Sequence, residues 1–141
     1  MSVTSQMQAI EDDLQFFDSW EDKYRYIIDL GKTLPEFDIA KRNDQHLVRG
    51  CQSQVWIDAE LSSGLLELRV DSDAFIVKGL LALVLAAYNG KTPQQALDFD
   101  VDAYFNRLEL ITHLSPTRGN GLRAMVSKIR DIAAQARGSY Q

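Results

Sequence analysis

The run Ala74–Asn89 constrains this chain more than any other. It carries one charge, Lys78, and apolar residues on every side: Phe75, Ile76, Val77, Leu80, Leu81, Leu83, Val84, Leu85 and Tyr88 among them. A helix apolar all round is stable in water only when the rest of the chain encloses it. The run is also too short to span a bilayer. It is therefore predicted to be the central buried helix, and the other elements must wrap around it. Asp71-Ser72-Asp73 stands just before it, and one of these residues should cap it. Gly90 should end it.

The remaining elements follow from the apolar period. Thr4 to Phe17 places Met7, Ile10, Leu14 and Phe17 at helical spacing, which predicts an amphipathic helix. Asp18-Ser19 breaks it. Ser19 and Asp22 resemble a capping box for a second helix from Trp20 to about Leu30, with Tyr24, Ile27, Ile28 and Trp20 on its apolar face. Gly31 is expected to be its left-handed stop. After the polar stretch Phe37–Gln45 the period turns strand-like. His46–Arg49 and Gln54–Leu61 are strand candidates, and Ser62-Ser63-Gly64 reads as a hairpin turn. Leu65–Val70 alternates, with Leu66, Leu68 and Val70 on one face and Glu67 and Arg69 on the other. An antiparallel sheet with one wet face follows. Downstream, Thr92 and Pro93 should start a short helix as cap and first helical residue. Asp102–Leu108 reads as helix with a continuation toward Leu110, and a last helix should run from Ser115-Pro116 to about Arg137. The fold class is α+β: a small antiparallel sheet with helices packed on one face. At 141 residues, with no repeat and no linker, one domain over 1–141 is expected.

Cys51 is the chain's sole cysteine, in Gly50-Cys51-Gln52-Ser53-Gln54-Val55-Trp56 between the two strand candidates. One thiol closes no internal disulfide and makes a poor metal site, which needs three or four ligands. Presented on a turn, it can attack a sulfur or an electrophile and carry the product. Gly50 frees the backbone and lets another molecule approach. The amides from Gly50 through Gln52 to Ser53 could aim at a sulfur anion as a small nest. The other reading of a lone cysteine is an inert buried residue, and the polar turn brings the two to even odds.

Other chemistry-bearing residues read more plainly. His46 and His113 have no spacing that makes either a base for Cys51. Asp71 and Asp73 read as helix-start carboxylates rather than an acid–base pair. Arg118 could bind an anion or an acidic partner, or be a solvated helix-start residue. Trp20 and Trp56 read as core or partial core, and Gly119-Asn120-Gly121 is too weak to be a phosphate loop. The net charge of −5 argues against nucleic acid. Met1–Glu11 is polar, without the basic and apolar regions of a secretory signal, so a reducing cytoplasm and no membrane partner are expected.

Taken in order, these segments resemble the SufE family of sulfur acceptors. The resemblance rests on Trp20-Glu21-Asp22-Lys23-Tyr24, Ile28-Asp29-Leu30-Gly31-Lys32 with Leu34-Pro35, and the run Gly50–Trp56. It continues through Asp71-Ser72-Asp73, Ile76-Val77-Lys78-Gly79-Leu80, Thr92-Pro93, Leu114-Ser115-Pro116-Thr117-Arg118 and Gly121-Leu122. The run around Cys51 is similar to SufE proper more than to the related CsdE acceptors. The resemblance implies a fold shared with the IscU/NifU cluster scaffolds. It implies that Cys51 takes persulfide sulfur from a SufS-like cysteine desulfurase, stimulates that enzyme, and delivers the sulfur to a SufB-containing scaffold complex. Pyridoxal phosphate would belong to the desulfurase, with no cofactor on this chain. Asp73 would support the cysteine loop, Arg118 would contact the desulfurase, and a homodimer would be possible. The alternatives are a CsdE-like acceptor for a different desulfurase and a stand-alone thiol peroxidase or hydrolase. Gly119 departs from the family pattern, and the tail Gly138–Gln141 matches nothing in it.

Overall fold

The structure is a computed structural model that describes residues 3–138. Met1, Ser2 and the tail residues Ser139, Tyr140 and Gln141 lie outside the described residues. The elements run α1 (Val3–Phe16), α2 (Trp20–Gly31), a 3-10 turn (Ile39–Lys41), β1 (Val55–Ser62), β2 (Leu65–Ser72), α3 (Phe75–Tyr88), α4 (Pro93–Asp98), α5 (Val101–Leu108), α6 (Leu110–His113) and α7 (Pro116–Gly138). The α+β class holds, and α3 is the hub. It packs against α1, α2, α7 and β2, and its residues Leu80, Leu81, Leu83, Val84, Ala87 and Tyr88 are fully buried. Each such leucine contributes about 1.5–3 kcal/mol relative to an exposed one. No helix among the described residues is long and apolar enough to cross a membrane.

The sheet is a two-stranded antiparallel ladder from Val55↔Ser72 to Ser62↔Leu65. Its turn places Ser63 and Gly64 at φ 53° and 80°, the doubly positive pattern that matches the twist of a two-residue hairpin. Leu66, Leu68 and Val70 are buried on the α3 side, as their alternation requires, while Arg69 is exposed.

Four local expectations need correction. His46–Arg49 forms no strand: it contributes a bridge, Leu47↔Trp56, with Val48 N–H donating to Val55 O and Ile57 N–H to His46 O. The chain turns away at Gly50 before a longer ladder can form. Gly31 is no left-handed stop but the last helical residue of α2. A Cβ there would lie 2.7 Å from the Gly79 backbone nitrogen, so the residue is glycine because α2 and α3 cross almost backbone to backbone. None of Asp71, Ser72 and Asp73 caps α3, whose N-cap is Ala74 without a side-chain hydrogen bond. Asp71 is instead a buried carboxylate paired with Arg42 at 2.5 Å and Lys78 at 3.5 Å. Finally, the helix through Leu108 does not continue to Leu110. Glu109 sits at φ 57° and separates α5 from α6.

The caps read from the sequence elsewhere are present. Ser19 accepts from Asp22 N–H, and Thr92 and Gln95 form a complete capping box ahead of α4 with Pro93 inside its first turn. Gly90, at φ 82°, ends the α3 region just past Asn89.

Candidate functional site

The bridge between Leu47 and Trp56 closes a loop whose apex carries Cys51. Gly50 turns the chain there with φ 93°, a conformation that disfavours any side chain. The loop lies on α7: a Cβ on Gly50 would stand 3.5 Å from Ala124 Cβ. At its exit the loop is tied down. Gln54 N–H donates to Asp73 Oδ1 at 3.1 Å, and Ser72 Oγ and Asp73 N–H both donate to Gln54 O at 2.7 and 3.3 Å. Among the described residues, the hydrogen bond made by Arg49–Ser53 is that of the Cys51 thiol to Gly121 O, across 3.6 Å. Asp73 thus hydrogen-bonds the far end of the loop at Gln54, one residue before the ladder begins at Val55.

Cys51 is half-buried. Its sulfur faces a pocket of about 220 Å³ whose apolar wall is Val77 and Leu80 of α3 and Met125 of α7. Gln52 and Ser53 border it from the loop, and Ser115, Thr117 and Arg118 border it at the start of α7. Cys51, Gln52, Ser53 and Arg118 therefore border one pocket, with Gly50 just before the thiol against Ala124, although 67 residues of sequence separate the thiol from Arg118. Arg118 is exposed and has no carboxylate partner among the described residues; its N–H bonds Ser115 Oγ at 3.3 Å.

Burial pushes the Cys51 thiol up from its ordinary value, because the charged thiolate loses more on desolvation than the thiol does. The nest of amides expected around the sulfur is not its polar neighbour. That neighbour is a carbonyl, which accepts the thiol proton and offers an anion nothing. The resting site thus keeps the sulfur neutral. The raised value favours the fold below the ordinary thiol pKa, and that contribution is lost as pH rises through the folded value. The alkylation rate of Cys51 by iodoacetamide is expected to rise with a midpoint above that of an unstructured cysteine peptide. A midpoint below it would contradict the desolvated thiol. Removing the loop tie should act in the opposite sense on access. Asp73→Ala forfeits about 1 kcal/mol of hydrogen bonding. Alkylation at fixed pH should then run up to about fivefold faster, with unchanged helix content by circular dichroism.

Neither histidine serves Cys51. His46 Nε2 lies 3.2 Å from Asp58 Oδ1 and its Nδ1 2.9 Å from Asn43 Oδ1. His113 stacks on Trp20 at 4.0 Å between centroids, with Nδ1 3.0 Å from Glu109 O. Trp56 is buried with the Arg42 guanidinium over its ring, and Trp20 is half-buried. Among the described residues no group of three metal-ligating side chains gathers. Sequence reasoning passed over Val77, Leu80, Gly121 and Met125 as site residues. Val77, Leu80 and Met125 read as ordinary core positions, and Gly121 as part of a weak turn.

Comparison with known proteins bears on the family and the fold of the chain. Residues 8–133 match the family described as SufE: Fe-S metabolism associated domain. The chain is 44% identical over 131 residues to an uncharacterized SufE-like protein of Rhizobium etli, covering 90% of this chain and 88% of that protein. The solution structure of a hypothetical protein from Thermus thermophilus superposes with a TM-score of 0.76, covering 94% and 96% of the two chains. At 16% identity it shows the shared fold. With the family match spanning nearly the whole described chain, this protein belongs to the SufE family, whose domain is associated with iron–sulfur metabolism.

Proposed function

We propose that this chain is a sulfur acceptor and carrier: Cys51 takes sulfane sulfur from a cysteine desulfurase and delivers it for iron–sulfur cluster assembly. The observation that carries the reading is the placement of the chain's lone thiol. It sits at the apex of a loop anchored at both ends, over a pocket with an apolar wall of Val77, Leu80 and Met125 and a polar rim, and is retained there by a weak, 3.6 Å contact. Such a sulfur can be drawn out to a partner at small cost and sheltered again afterwards.

In the transfer the Cys51 thiolate attacks the terminal sulfur of the donor's persulfide. The sulfur–sulfur bond of the donor breaks, the donor cysteine leaves as thiolate, and Cys51 holds the new persulfide. One sulfane sulfur moves and no net oxidation occurs. The pocket alone keeps the thiol protonated, so the partner's site must favour the anion. A SufS-like desulfurase, which itself holds the pyridoxal phosphate, is the donor we favour; a CsdE-like pairing would change the donor and leave the chemistry the same. Exposed, uncompensated Arg118 on the pocket rim is suited to a carboxylate of that partner. A SufB-containing scaffold would be the recipient, and a reducing cytoplasm the setting. A stand-alone peroxidase or hydrolase is less well supported, since both histidines are engaged elsewhere.

The test is direct. The chain is incubated with a SufS-like desulfurase and L-cysteine and its intact mass measured without reductant. One added sulfur, on the peptide that contains Cys51 and removable by dithiothreitol, is the expected result. An unmodified mass beside an active desulfurase would overturn the acceptor role.

A further inference from the structure

Five of the chain's eight glycines are explained by a close backbone approach or a positive φ, Gly119 and Gly138 would meet nothing with an added Cβ, and Gly121 alone would meet the reactive thiol. Gly31 and Gly79 are required by the backbone contact of α2 with α3, where added Cβ atoms would lie 2.7 and 2.2 Å from their nearest neighbours. Gly50, Gly64 and Gly90 are required by positive φ. Gly121 is different. It lies in α7, buried, with no positive φ, and glycine inside a helix is unfavourable relative to alanine. Beyond its own helix, the atoms that an added Cβ would meet within 4 Å are Sγ of Cys51 at 3.6 Å and Cβ of Cys51 at 4.0 Å.

Those are ordinary contact distances, so the free thiol does not itself require glycine here. The persulfide does. Its second sulfur lies about 2.05 Å from Sγ. It cannot take the direction of the thiol hydrogen, which points at Gly121 O. It must turn aside, either toward the pocket wall of Val77, Leu80 and Met125 or toward Gly121 of α7. A methyl group on residue 121, already in contact with Sγ, would overlap a sulfur turned to that side. Resting on the carrier reading above, we propose that Gly121 is a positioning residue for the persulfide. Its missing side chain is the space that lets loaded Cys51 return to the pocket.

The consequence is selective. Gly121→Ala should leave the thiol form seated and the loaded form displaced. Cys51 is loaded in wild type, Gly121→Ala and Gly119→Ala with inorganic polysulfide. There the thiolate takes the terminal sulfur and a polysulfide shorter by one sulfur leaves. Two rates are then read by intact mass: iodoacetamide alkylation of the unloaded thiol, and removal of the added sulfur by glutathione. For Gly121→Ala the alkylation rate should stay within about twofold of wild type, while sulfur removal runs about tenfold faster. The melting temperature should be equal or higher. Gly119→Ala, whose added Cβ meets nothing within 4 Å, should match wild type in both rates.

Equal persulfide lifetimes in wild type and Gly121→Ala would overturn the proposal. So would a parallel rise in both rates, which would mean a generally loosened loop. Polysulfide loading needs no partner protein, so this result is separable from the desulfurase test. A chain that takes no sulfur from a desulfurase but loses it selectively in Gly121→Ala would refute the carrier reading alone.

Discussion

Cys51→Ser is expected to abolish sulfur loading completely while leaving the fold in place. A serine hydroxyl is far less acidic than a thiol and forms no stable bond to sulfane sulfur, so no partial activity should remain. The substitution is close to isosteric. Cys51 is half-buried and packs at the edge of the core rather than within it. The stability cost should therefore stay near or below about 1 kcal/mol. Intact mass after incubation with desulfurase and L-cysteine should show no added sulfur. The desulfurase's cysteine turnover should fall to its rate without this chain. Full stimulation by the Cys51→Ser protein would show that docking alone activates the enzyme, and the covalent relay would then be wrong.

Gly79→Ala is expected to cost more stability than any other single methyl group added to a described glycine. The new Cβ would sit 2.2 Å from the Ile27 carbonyl oxygen and 2.7 Å from two further Ile27 atoms, in the middle of a crossing where Ile27 and Gly79 are buried. Two of these three atoms are backbone, so no rotamer change relieves the overlap. The two helices must separate, and the packing between them is lost along its length. A cost of about 3 kcal/mol or more is expected, which for a chain of this size lowers the thermal midpoint by about 10 °C. Gly119→Ala is the control: its added Cβ meets nothing within 4 Å, and the change should be neutral or stabilising by up to about 1 kcal/mol. Thermal unfolding of the two variants side by side checks this. Equal midpoints would mean that the α2–α3 crossing is not as close as described.

Gly79 and Gly31 also mark where reading along the chain is weakest. In sequence Gly31 follows a helical run and resembles a stop, because glycine ends helices far more often than it permits close crossings. Whether a glycine serves a turn or an approach depends on a partner strand or helix that lies elsewhere in the chain. The same holds for Asp71. Next to a helix start it reads as a cap, but Arg42 arrives from the 3-10 turn and draws the carboxylate into an ion pair. Asp73 is likewise taken by Gln54. Short polar side chains have several acceptable partners, and the nearest in sequence need not win.

The buried helix, the alternating β2 face, the hairpin turn and the Ser19 and Thr92 caps were all legible in the sequence. Each depends on residues within a few positions of one another, and period and turn chemistry act at that range. Cys51 was legible as the candidate reactive group for a similar reason: it is the chain's lone thiol and follows a turn-forming glycine. Tertiary structure alone decided the rest of the site. The pocket is assembled from β1's leading loop, α3 and α7; Gly121, on which the sulfur rests, is 70 residues away. The thiol's raised pKa is a property of that assembly, since desolvation is imposed by whatever packs around a group and not by its neighbours along the chain. Local order is written in short-range pattern, whereas a site made of distant segments exists only once the core has brought them together.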